Sequence, residues 1–178
     1  MLLALSDTHA TDDPGLTDHL REQIRAADVV VHAGDFTTPA VLDRFEGLAD
    51  DLVAVHGNAD SAVVRERLPA VETVEALGKR FLVVHGHEND ETSLSLLARQ
   101  EGADVVVLGH THRPGIGQLG GVTVLNPGSH ADPRGNRPAY AAVGQASGDG
   151  VVRLRTPAGE SLERRSLVEG RTGRRNSE

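Results

Sequence analysis

The chain has 178 residues, of which 38% are hydrophobic and 25% charged, the profile of one soluble globular domain with a sizeable core. Aromatics are only 2% and the net charge is −8, which disfavours single-strand binding by base stacking and non-specific binding to duplex phosphates. Cysteine is absent, which excludes disulfides, thiolate metal sites and cysteine nucleophiles, so any metal must be held by nitrogen and oxygen. No stretch approaches the roughly 20 apolar residues of a membrane span. The N-terminus runs straight into a strand-like segment without signal-peptide features, and a cytoplasmic protein is expected.

Residues 1–5 are apolar and read as a buried strand. Leu16, Leu20 and Ile24 recur every four residues and give one apolar helix face, with His19 on the exposed side. Val29, Val30 and Val31 read as a second buried strand, ending at Gly34-Asp35. Thr38-Pro39 predicts a helix start, a hydroxyl cap followed by proline at the first helical position. Val41, Leu42, Phe45 and Leu48 supply its inner face. Residues 52–55 are a third strand, ending at Gly57-Asn58. This β-α-β-α-β order is that of parallel strands with crossover helices. Residues 71–76 and 80–84 read as neighbouring strands joined through Gly78. A helix then opens near Asn89 or Asp90, with Leu94, Leu97 and Ala98 inside and Gly102 past its end. Residues 105–108 form another buried strand. Residues 116–119 and 122–125 flank Gly120-Gly121, a hairpin signal, and residues 139–143 and 151–154 flank a Ser-Gly-Asp-Gly turn. The expectation is an α/β domain over residues 1–169, two packed mixed β-sheets flanked by helices, with a disordered Arg-rich tail over 170–178.

The chemistry-bearing residues sit in polar loops just past the predicted strands: Asp7, His9, Asp35, Asn58, Asp60, His85, His110 and His112. Open α/β sheets bind ligands at that edge. Asp7 and His9 are two apart, as are His110 and His112, and in extended chain such pairs point to one side. Mixed Asp, Asn and His donors suit Mn²⁺, Fe²⁺, Ni²⁺ or Zn²⁺. They are too many for one ion and about right for two, and paired ions are a device for displacement at phosphorus. Singly, each motif is weak. Asp-x-His and Gly-Asp are common by chance, Asn58 alone is an ordinary turn residue, and His32 and His56 read as structural histidines. The order carries the weight, because five strand ends in succession bear suitable donors.

On these residues the chain resembles the calcineurin-like metallophosphoesterases, specifically the small single-domain phosphodiesterases of the YfcE type. The resemblance rests on Ser-Asp-Thr-His at 6–9, His-Ala-Gly-Asp at 32–35, Gly-Asn-Ala-Asp at 57–60, His-Gly-His at 85–87, Gly-His-Thr-His at 109–112 and Asn-Pro-Gly-Ser at 126–129. It spans about residues 1–154 and implies a β-sandwich flanked by helices. It also implies that Asp7, His9, Asp35 and His112 hold one divalent ion. Asp35, Asn58, His85 and His110 would hold the other, with Asp35 bridging. A hydroxide between the ions would attack phosphorus in line. Asp35, Asn58 and Asp60 are the implied catalytic residues, Asp60 by orienting a ligand or its loop. Asn126 to Ser129 would be structural or help to close the site. Manganese fits best, with nickel, iron, zinc or magnesium as alternatives.

One position departs from the family pattern. Many members of the wider superfamily carry His after the Asn, and small YfcE-like enzymes often carry Cys; this chain has Ala59. Loss of an acid typically removes a factor of roughly 10²–10⁴ for poor leaving groups. His87 and His130 are candidate substitutes, and Arg134 and Arg137 are candidate contacts to a substrate phosphate. The leading expectation is therefore a two-metal phosphodiesterase acting on a small phosphodiester, without a membrane partner and with room for a homo-oligomer. A non-catalytic scaffold of the same fold is the first alternative. It is opposed by the presence of His9, His85, His110 and His112 and mildly favoured by Ala59. A nuclease is the second, opposed by the short chain and its acidic balance.

Overall fold

The computed structural model describes residues 1–146 and 149–167; the expected tail over 170–178 lies outside them. In chain order the elements are β1 (Leu2–Leu5), α1 (Asp18–Ala26), β2 (Val29–His32), α2 (Pro39–Glu46), β3 (Leu52–Ala54), α3 (Ala62–Arg67), β4 (Val71–Ala76) and β5 (Lys79–Val84). They continue with α4 (Glu91–Gln100), β6 (Val105–Val107), β7 (Gly115–Leu119), β8 (Val122–Asn126), β9 (Tyr140–Ala146), β10 (Asp149–Arg155) and β11 (Ser161–Ser166).

Two mixed sheets form. One has the order β11-β10-β9-β1-β2-β3 and the other β4-β5-β6-β8-β7. The strands β1, β2 and β3 are parallel, as are β5, β6 and β8, while the outer hairpins are antiparallel. Alternation along β1 shows how the layers stack. Leu2 and Ala4 face a core shared with Phe81, Val83, Val105 and Val107 of the second sheet. Leu3 and Leu5 face a core filled by Leu20, Ile24, Leu42 and Phe45 of α1 and α2. A third core joins Leu82 and Val106 to Leu94 and Ala98 of α4. The result is a helix-sheet-sheet-helix stack, the expected α/β architecture.

Local signals behave as their chemistry requires. Thr38 caps α2 by accepting from the Val41 N–H, and Pro39 opens the helix. Asp90 caps α4, and Gly102 turns the chain beyond it at φ +65°. Two elements were not anticipated. Helix α3 has six residues and one buried side chain, Val64, too few to show a period. Strand β11 is an edge strand of sequence Ser-Leu-Glu-Arg-Arg-Ser, mostly exposed, and reads as loop. His19 also differs from expectation. It is half-buried, with Nε2 3.3 Å from the Tyr140 hydroxyl, because the end of the β10–β11 hairpin covers that side of α1.

Candidate active site

The loops after β1, β2, β3, β5 and β6 meet at one end of the sandwich. Several contacts join the two sheets there. The His85 Nδ1 donates to the Ala33 carbonyl (2.7 Å), the His110 N–H donates to Asp7 Oδ1 (3.1 Å), and the Ser129 hydroxyl donates to the Asp7 carbonyl (2.7 Å). Glycine is required where the loops cross. A Cβ at Gly109 would strike Ser6 Oγ and lie 3.0 Å from Asp7 Oδ2, and one at Gly57 would strike Asp35 Oδ1.

Asp35 is the centre. Its Oδ2 lies 3.1 Å from His9 Nε2 and 3.2 Å from His85 Nε2, and its Oδ1 accepts from the Ala59 N–H at 2.7 Å. On one side Asp7, His9 and His112 gather, with His112 Nε2 3.5 Å from Asp7 Oδ1 and the two imidazoles stacked at 4.8 Å. On the other side Asn58 Oδ1 lies 3.0 Å from both His85 Nε2 and His110 Nδ1. Two groups, Asp7-His9-His112 and Asp7-Asp35-His85, have their donor atoms close enough together to hold an ion.

The donors fit divalent cations on their own chemistry. His85 and His112 each spend the Nδ1 proton on a carbonyl, Ala33 and Asp132, which fixes the ring orientation and turns Nε2 inward, where loss of any second proton would free a lone pair for a metal. His112 Nε2 and Asp7 Oδ2 are buried without a hydrogen-bond partner. Burial raises the Asp7 carboxyl above its ordinary range. Burial would raise Asp35 too, but hydrogen bonds from His85 and His9 hold it well below the ordinary value. Burial opposes charge on His85 as well, yet the Asp35 hydrogen bond keeps its pKa raised. A carboxylate pair this close is relieved by a cation. Backbone strain concentrates here: Asp7, His9, Asp35, His110 and His112 all adopt φ between 46° and 67°.

Comparison with known proteins agrees with this geometry. The calcineurin-like phosphoesterase superfamily domain matches residues 1–149. The chain belongs to that superfamily. A probable metallophosphoesterase of Methanothermobacter thermautotrophicus is 32% identical over 169 residues, 89% of this chain and 95% of that protein. The phosphodiesterase YfcE of Escherichia coli K12 is 36% identical over 104 residues, 56% of this chain and 55% of that protein. Among solved structures, a conserved Streptococcus pneumoniae protein described as a predicted phosphoesterase superposes with TM-score 0.70 at 26% identity, covering 93% of this chain and 96% of that one. The Entamoeba histolytica Vps29 complexed with Zn²⁺ has TM-score 0.75 at 21% identity, covering 93% and 98%, and shows the shared fold alone. A phosphoesterase superfamily with relatives named phosphodiesterases supports a hydrolase, and the superfamily is metal-dependent.

Within this superfamily member the remaining candidates divide. Asp60 faces backbone rather than the ligand cluster. Its carboxylate accepts from the N–H groups of Asp35 (3.0 Å), Gly57 (2.7 Å) and Thr37 (2.7 Å), so it positions two loops. His130 is corrected more sharply. It is buried, with Nε2 bonded to the Pro14 carbonyl at 2.8 Å and its ring edge-on to Phe45, and cannot meet a substrate. Burial lowers its pKa to about 4. His87 is brought to the rim, 5.3 Å from the His85 ring and 6.2 Å from His110, and burial lowers its pKa. Arg134 reaches the mouth, with a guanidinium nitrogen 3.4 Å from His9 Nε2. The same-side argument for Asp7/His9 and His110/His112 needs correction as well. Each pair converges through left-handed backbone, not extended chain, and His110 turns to Asn58 while His112 turns to Asp7.

Positioning residues outside the original set also appear. His32 is buried, accepts from the Gly34 N–H at Nδ1 and bonds Thr8 Oγ1 at 2.9 Å through Nε2, bracing the loop between Asp7 and His9. Asn126 donates to the Gly109 carbonyl and Thr111 Oγ1, fastening the His110–His112 turn. Only the His-x-Gly-Asp spacing and the Asn-Pro-Gly-Ser motif hinted at these roles.

Proposed function

We propose that this protein is a two-metal phosphodiesterase that hydrolyses small phosphodiesters. The observation that carries the reading is the Asp35 carboxylate, placed between His9 on one side and His85 on the other at 3.1 and 3.2 Å. Asp7, His9, Asp35 and His112 would hold one ion, and Asp35, Asn58, His85 and His110 the other, with Mn²⁺ the best match to the donors. When bound, such ions lower the pKa of a water and stabilise charge on phosphate oxygens. The chain's own residues do the rest. Asp60 holds the Asp35 backbone N–H, the Ala59 N–H holds the Asp35 carboxylate, and the Ala33 and Asp132 carbonyls orient the His85 and His112 rings. Arg134, with a guanidinium nitrogen 3.4 Å from His9 Nε2, would meet a substrate phosphate oxygen. The convergence of His9, His85, His110 and His112 opposes the scaffold alternative, which Ala59 mildly favours.

The test is metal analysis of the purified protein, followed by a phosphoester panel with Mn²⁺, Ni²⁺, Zn²⁺ or Mg²⁺ added back. Metal-dependent turnover of aryl phosphodiesters is expected. The variant Asp35→Asn should retain its fold by circular dichroism but lose metal and at least a hundredfold in kcat/KM, the scale of a removed electrostatic group. Near-normal turnover by Asp35→Asn with added metal would overturn the reading.

A further inference from the structure

A cleft of about 260 Å³ is lined by Arg113, Asn136, Arg137, Leu154, Leu162 and Glu163. It is tied to the metal cluster through the chain itself. Arg113 directly follows His112, and Arg137 lies three residues beyond Arg134, whose guanidinium approaches His9. The Asp132 carbonyl that orients His112 belongs to the same loop.

The charge of this cleft runs against that of the molecule. The chain carries a net −8, yet Arg113 and Arg137 are both exposed here and form no ion pair among the described residues. The nearby carboxylates are already engaged. Asp132 pairs with Arg134 at 3.1 Å and Glu163 with Arg165 at 3.0 Å. Two guanidinium groups are thus left over in this cleft, which Asn136 also lines and to which Leu154 and Leu162 give an apolar surface. Guanidinium forks match carboxylate and phosphate oxygens bidentately and stay charged at any working pH.

We propose that this cleft is a subsite for a second anionic group, so that the preferred phosphodiester carries a carboxylate or phosphate beyond the scissile bond, held by Arg113 and Arg137. The proposal rests on the phosphodiesterase reading and names the substrate class of that same site. An apolar spacer between the two anionic groups would lie against Leu154 and Leu162.

The experiment compares three p-nitrophenyl phosphodiesters whose retained group is phenyl, carboxyphenyl or phosphophenyl. Each is assayed with the Mn²⁺-loaded natural protein, Arg113→Ala, Arg137→Ala and the double variant. The natural protein should favour the anionic esters by roughly tenfold or more in kcat/KM, the worth of a charged hydrogen bond at a partly exposed site. The double variant should lose that preference through KM, with a clearly smaller loss on the phenyl ester. The carboxyphenyl and phosphophenyl arms show which oxyanion fits. Equal losses on all three esters, or no preference in the natural protein, would overturn the subsite. A second readout does not depend on turnover. Inorganic phosphate titrated into Zn²⁺-loaded, ¹⁵N-labelled protein should shift the Arg113, Asn136 and Arg137 amides, and not in the double variant. If no ester is hydrolysed but those shifts appear, the phosphodiesterase reading fails while the anion subsite stands; absent shifts overturn the subsite by themselves.

Discussion

Asp35 and Ala59 are joined by a hydrogen bond and together define what this site can and cannot do. The Ala59 backbone helps to hold the central carboxylate, but its methyl group has no proton to give. Activity should therefore depend steeply on the leaving group. Across aryl phosphodiesters of graded phenol pKa, the natural protein should show a steeper fall than Ala59→His. The variant should gain most on the poorest leaving group, within the roughly 10²–10⁴ that acid catalysis supplies. Equal slopes would mean that His87, already at the rim beside His85, donates the proton. At this scale the sequence was informative through the succession of donors at strand ends and not through any one of them: each proposed ligand reached the cluster. Exposure was not readable in the same way. His130 and His87 look alike in the sequence, both following a glycine-containing loop motif. One is packed against Phe45 and Pro14 and the other opens to solvent. That difference arises from the 12–15 loop folding over His130, a long-range contact with no local signature.

The elements matter to function mainly through where they stop. Strands β1, β2, β3, β5 and β6 end at one edge, and their loops are so tightly crossed that side-chain volume decides which residue is tolerated. Gly57 tests this without replacing a ligand. A methyl group there would press on Asp35 Oδ1, so Gly57→Ala should weaken divalent-metal affinity by at least tenfold, read by calorimetric titration, while circular dichroism stays unchanged. Unaltered affinity would show that the loop has slack the structure does not display. Cap chemistry made α2 and α4 legible almost to the residue, because Thr38-Pro39 and Asp90 act within a single turn. Helix α3 and strand β11 were not legible, since each is short and mostly exposed and is stabilised by its neighbours more than by its own pattern. The left-handed conformations of the ligand loops were invisible for a related reason. Asp and His tolerate positive φ but do not announce it, and the strain is held by Asp60, Ser129 and Asn126 from other loops.

At the scale of the molecule, burying neutral histidines couples stability to pH. His130 has a folded pKa of about 4 against an ordinary 6.5, so the unfolded chain takes up the proton first as pH falls. The stability that this group contributes is complete above about pH 6.5 and is lost progressively toward pH 4, on the order of 3 kcal/mol in all. His32, fully buried and also lowered by burial, acts in the same direction. Urea titrations of the natural protein should show stability falling over that interval, and His130→Phe should flatten the slope even if its stability at pH 7.5 is reduced. An unchanged slope would assign the acid lability elsewhere. The two-sheet architecture, though not the strand order, was legible from apolar runs and turns, and membership of the calcineurin-like superfamily followed from the loop motifs. The account as a whole stands on the centre where the two sheets meet. Anomalous diffraction from a Mn²⁺-loaded crystal tests it most directly. Two full peaks about 3.5–4 Å apart are predicted, one beside His9 and His112, the other beside His85 and His110, with the Asp35 carboxylate between them. A single peak at saturating metal would contradict it.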